Sequence, residues 1–199
     1  GGIGTTALEA LRQGRRAWLV EGNPVGCLVS YVSACMLLLK GVEPSLPAIL
    51  VDCLRSVIGD CNGENLTMQR LVKDDHIVKD VDIILKNIAR PSPSQVAKEF
   101  SSEPNWESLS NWVEESTLRD LKKLFYALSS AKLGHFGKIV GIAMISAILR
   151  PSSSQTQSWG HIADNVWPKS FERKDIHKLC NQWLGRTENI VSRTDVISL

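Results

Sequence analysis

Apolar positions along this chain recur at intervals of three and four, the spacing that aligns side chains on one face of an α-helix. Ile77, Val81, Ile84, Leu85 and Ile88 form one such stripe, and Leu118, Leu121, Leu124, Phe125 and Leu128 another. Two runs are apolar almost all round, Val25 to Leu39 and His135 to Leu149. A helix without a polar face is buried on every side, so the second run reads as the central helix of the C-terminal half. The first run has 15 residues and contains Ser30 and Ser33. A bilayer span takes about 20 residues, so this run reads as a core helix and not as a membrane span.

Caps and breakers divide the pattern into elements. Thr6-Ala7-Leu8-Glu9 has the capping-box form and predicts a first helix that lasts until Gly22-Asn23-Pro24. Asn23 is suited to cap the next helix, with Pro24 at its first position and Gly41 as its stop. Ser45 opens a third helix that Gly59 ends. A short helix is predicted over 65–72, and a longer one behind Asp74 and Asp75 that stops before Pro91. Short helices follow around 95–100 and 105–115, then the Leu118 stripe, the central helix and a short helix over 159–167. The last helix holds Ile176, Leu179, Cys180, Trp183 and Leu184 and is expected to end at Gly185. Strand-like alternation between hairpin turns is missing outside the tail. The expected fold is all-α, an irregular bundle of about 8–10 helices. It forms one domain over residues 1–185. A sub-boundary at 91–94 would allow two helical lobes, and 186–199 is a C-terminal tail or docking arm.

Composition narrows the class. With 43% hydrophobic and 22% charged residues the chain is an ordinary globular sequence. The five cysteines are an odd number without a C-x-x-C pair, and Cys27, Cys35 and Cys53 lie in apolar runs. That usage predicts free thiols in a reducing compartment, hence an intracellular protein, cytoplasmic or nuclear. The chain opens on Gly1-Gly2 without Met, so it reads as a fragment or a processed product.

Motif-borne chemistry is scarce, and the expected catalytic, metal and cofactor sets are empty. The four histidines are scattered, with no H-E-x-x-H and no zinc spacing. His177 and Cys180 share a helical face, an arrangement that packing explains without catalysis. The aspartates Asp74, Asp75, Asp80 and Asp82 invite comparison with helical prenyl-transferring enzymes. Their third aspartate would fall at Val78, and helix capping is the simpler role for Asp74 and Asp75. His135-Phe136-Gly137-Lys138 resembles the motif that heads the central helix of the groove-bearing, helix-binding regulators of cell death. The interval from Phe136 to Trp159 is too short for the helix that family places there.

Charge is the most informative remaining pattern. Residues 1–115 carry 11 Lys and Arg against 15 Asp and Glu, and residues 116–199 carry 12 against 6. The halves thus differ by ten charges, −4 against +6. A basic half tracks a phosphate backbone or docks an acidic partner, including the acidic half of a second copy. The candidate interaction residues are Lys122, Lys123, Lys138, Arg173, Lys174 and Lys178. Two of the six tryptophans, Trp106 and Trp159, join them as the ones expected to be exposed. The preferred expectation is a non-enzymatic helical interaction or scaffold module within a larger assembly, with protein partners or self-association. The alternative is a nucleic-acid-binding protein of the viral nucleocapsid kind, using residues 116–199. An enzyme without a recognisable motif is the third.

Overall fold

The computed structural model of the protein describes residues 4–61, 79–100, 102–155 and 167–195. These residues form helices joined by turns and contain no strand. In chain order the helices are α1 (Thr5–Arg12), α2 (Pro24–Val42), α3 (Leu46–Cys61), α4 (described over 79–88), α5 (Pro93–Glu99), α6 (Trp106–Ser110), α7 (Glu115–Ser130), α8 (Gly134–Ser152) and α9 (Ile176–Arg193). The all-α bundle expected from the periodicity is the fold observed. The predicted helix over 65–72 and residues 159–166 of the one over 159–167 lie outside the described residues; Trp167 is described and is not helical.

The nearly all-apolar run of the second half is α8, which touches α2, α3, α5, α7 and α9. Phe136, Ile139, Val140 and Met144 have no exposure at all. Ile142 is only half-buried, packed against the core and not within it. Around α8, side chains from every helix from α2 to α5 and from α7 and α9 join one contiguous core. Residues on both sides of Pro91 contribute to it.

Several helix ends depart from expectation, each for a local reason. The first helix stops at Arg12, well short of Gly22. Gly14 adopts a left-handed φ of +69°, and the N–H groups of Gly14 and Arg15 return to Leu11 and Ala10 at 2.9 Å each. This is the glycine-dependent closure that satisfies the last carbonyls of a helix. Residues 15–21 then run without regular structure. At the other end, Gly4 and not a capping side chain starts α1. Asn23 does cap α2, accepting the Val25 N–H at 2.9 Å.

At 19 residues, α2 is longer than the sequence run suggested, and by length and composition alone it is able to cross a membrane. Here it packs against α1, α3, α8 and α9, with Leu28, Val32, Cys35, Met36, Leu37 and Leu39 buried. The helix passes Gly41, α3 passes Gly59, and α9 passes Gly185 to reach Arg193. Residues 186–193 are therefore helix and not a loose tail. The end of α9 is held by a distant cation: Lys40 Nζ donates to the carbonyls of Val191, Ser192 and Thr194 at 2.7–2.9 Å. A cation at a C-terminus meets both the free carbonyls and the negative end of the helix dipole.

Candidate functional site

Two surfaces stand out, one basic and one apolar. The basic one is built from the start of α7. Glu114 caps that helix, accepting the N–H groups of Ser116 at 3.0 Å and Thr117 at 2.9 Å. Thr117 is completely buried, and its hydroxyl accepts the backbone N–H of Lys174 at 2.9 Å. Ser154, also buried, accepts the N–H of Glu172 at 2.9 Å, while its own N–H donates to the Trp112 carbonyl at 2.8 Å. These two hydroxyls fasten the segment ahead of α9 against α7 and the end of α8. Asp175 then caps α9 by accepting the Lys178 N–H at 2.9 Å.

The result is a cleft of about 580 Å³. Lys123, Arg173 and Lys174 line it together with Asp120 and Asp175, and Cys61 and His177 complete the wall. Arg173 reaches Asp120 at 3.9 Å, and Lys174 pairs with Glu172. Burial raises the Cys61 thiol pKa; the Asp60 carboxylate adds to this, and Lys123 works against it. Behind it, burial pushes the Cys180 thiol up to about 12. Protonated thiols are poor nucleophiles, so the His177–Cys180 pair has the character of packing. Among the described residues no three His, Cys, Asp or Glu side chains are grouped to hold a metal ion.

The other predicted interaction residues lie elsewhere. Lys122 sits over the Trp106 ring at 5.9 Å. Trp106 is not an exposed anchor: it is half-buried edge-on against Phe125, and its indole N–H donates to Glu103 at 2.7 Å. Lys138 Nζ donates to the Ser129 carbonyl at 2.7 Å. Lys178 is exposed on the first turn of α9, and Trp159 lies outside the described residues. Of the eight candidates, the fold gathers Lys123, Arg173 and Lys174 into one site.

The apolar surface was not foreseen. A groove of about 560 Å³ runs between α1, α2, α8 and α9, with Leu8, Val29, Met36, Ala147, Ile190 and Val191 among its walls. Beyond α1, Trp18 and Val20 stand 95% and 88% exposed, which makes Trp18 the tryptophan most open to solvent among those described. The chain matches no protein-family model, no curated protein and no solved structure. The two surfaces therefore carry the functional argument.

Proposed function

We propose that the chain is a non-enzymatic helical interaction module, a docking or scaffold piece of a larger assembly, whose receiving surface is the groove between α1, α2, α8 and α9. The groove carries this reading, because an apolar channel of about 560 Å³ left open among the described residues has the character of a protein-binding surface. The occupant that fits is an amphipathic helix of a protein partner, laid in with its apolar face down. Arg12 on the groove wall is already paired with Glu9 at 2.9 Å, so Arg193 is the wall cation that favours an acidic residue flanking that face. The five free thiols accord with a reducing cytoplasm or nucleus. Nucleic-acid binding through residues 116–199 is the second reading. The convergence of Lys123, Arg173 and Lys174 favours it, and the internal engagement of Lys122 and Lys138 weighs against it.

The test is site-specific photo-crosslinking from position 190, exposed on the groove, and from position 83, exposed on α4 outside it. The expected result is a cross-link from 190 alone to an apolar, helix-forming segment, competed away by a synthetic peptide of that segment. Equal cross-linking from both positions, or none from 190, would overturn the groove as the docking face.

A further inference from the structure

The segment that joins α1 to α2 displays its largest apolar side chains to solvent, and it is pinned in that posture. Its start is fixed by the Arg15 N–H, which donates to the Ala10 carbonyl at 2.9 Å. Its end is fixed through Glu21, whose carbonyl accepts the Cys27 thiol at 3.0 Å and whose carboxylate accepts the Asn23 N–H at 2.8 Å. Between these points Leu19 turns inward, its Cδ2 3.5 Å from where a Cβ on the buried Gly4 would stand. Its two neighbours, Trp18 and Val20, are left outside with almost their whole surface open, and Val25 in the first turn of α2 is half exposed.

Charge accompanies these side chains. Arg15 and Arg16 are exposed, and neither has a carboxylate within ion-pair distance among the described residues. Arg12 is paired with Glu9. Glu21 lies at the N-terminus of α2, where the helix dipole offsets part of its charge. Glu9, Arg12, Arg15, Arg16 and Glu21 thus leave one positive charge in excess over residues 5–25. Arg193 and Asp195, which neighbour Arg12 at the end of α9, cancel each other. Tryptophan beside arginine suits a bilayer interface: the indole ring enters the headgroup boundary with its N–H still wet, and the guanidinium reaches lipid phosphate. A protein hot spot works within a dry rim of packed neighbours. Here the flanks are Gly14, Gly22, Asn23 and the two arginines, all exposed, which fit a hydrated headgroup layer.

We propose that residues 15–25 attach the domain peripherally to an anionic membrane surface. Trp18 and Val20 enter the headgroup boundary, and Arg15 and Arg16 meet the lipid phosphates. The cytoplasmic leaflet is a membrane surface of that charge. The attachment lies on the surface and leaves α2 in the core. It does not depend on the groove or on what fills it.

The experiment floats the intact chain with vesicles of phosphatidylcholine alone and with vesicles containing about one quarter phosphatidylserine. About 1 mM lipid reveals reversible attachment of the strength of one acyl chain. Flotation is expected with the phosphatidylserine vesicles and should weaken between about 0.1 M and about 0.5 M salt. Partitioning should fall about ten-fold or more in Trp18→Ser and in the double variant Arg15→Gln, Arg16→Gln. Ile83→Ser, an equally apolar loss at an exposed position of α4, should leave it unchanged. All of these positions are exposed, so the variants should keep the fold. Absence of flotation, equal flotation with both vesicles, or an equal loss in Ile83→Ser and Trp18→Ser would overturn the proposal.

Discussion

Asp82 on α4 holds Phe136 at the head of α8, its carboxylate accepting the Phe136 N–H at 2.9 Å. The same carboxylate takes the neighbouring His135 N–H at 2.6 Å. The first turn of the most buried helix is therefore capped by a residue more than fifty positions away. A carboxylate there satisfies two free amides and faces the positive end of the helix dipole.

Removing that cap has a measurable cost. Asp82→Ala should destabilise the fold by about 1–2 kcal/mol, the range for lost helix caps, with Asp82→Asn recovering part of it by keeping one acceptor. Urea unfolding followed by circular dichroism gives the number. An unchanged midpoint for Asp82→Ala would mean that water caps α8 equally well.

Two glycines inside helices should respond to alanine in opposite directions. At Gly137 a Cβ would lie 2.9 Å from the Leu133 Cβ and 3.3 Å from Leu50 Cδ1, so Gly137→Ala should destabilise through crowding, by about 1–3 kcal/mol. At Gly185 nothing lies within 4 Å of the added carbon. Gly185→Ala should stabilise by about 0.5–1 kcal/mol, the helix preference of alanine over glycine. The second result also checks that α9 is continuous through residue 185, since a chain that frayed there would gain nothing. Thermal melts of the two variants beside the parent decide both.

Thiol reactivity should divide the cysteines by burial. Cys35, Cys53 and Cys180 are buried, while Cys27 and Cys61 are partly accessible. Burial pushes Cys35 and Cys180 each up to about 12, which leaves almost no thiolate at neutral pH. An aromatic disulfide reagent near pH 8 should label Cys27 and Cys61 in the native protein and the other three only after denaturation. Rapid native labelling of Cys180 would show that the packing behind the basic cleft is looser than described.

Acid should weaken the start of α7. The hydrogen bonds from Ser116 and Thr117 hold Glu114 down to about 2, below its ordinary 4.5. A carboxylate lowered on folding adds stability above its unfolded value, and that stability is lost as pH falls through the folded one. The contribution of Glu114 is thus complete above about pH 5 and disappears between about 4.5 and 2. Glu114→Gln should have a flatter dependence of melting temperature on pH across that window. Identical slopes for parent and variant would remove Glu114 from the acid response.

The sequence by itself determined the helical class, the buried character of α8 and the cap at Asn23. Each follows from local rules: apolar spacing of three and four, a fully apolar face, and an asparagine ahead of Pro24. Local rules misplaced the end of α1, because Gly14 closes that helix where the apolar pattern alone would carry it on. They also ended α9 at Gly185, where the helix continues and Lys40 of α2 caps its far end. That cap, like the one Asp82 gives α8, joins residues far apart in the chain, and no periodicity reports it.

The candidate sites divide in the same way. Lys123, Arg173 and Lys174 were legible as basic residues, since charge is a property of composition. Their meeting in one cleft depends on two buried hydroxyls, Thr117 and Ser154, that fasten the segment ahead of α9. In the sequence Thr117 is an ordinary polar residue beside Leu118, and only the structure shows that it is buried. The apolar groove was invisible there, because its walls come from four helices whose stripes look fully used in the core. Tertiary packing decided which part of each stripe stays uncovered, since that depends on where neighbouring helices end and not on any residue's own hydrophobicity.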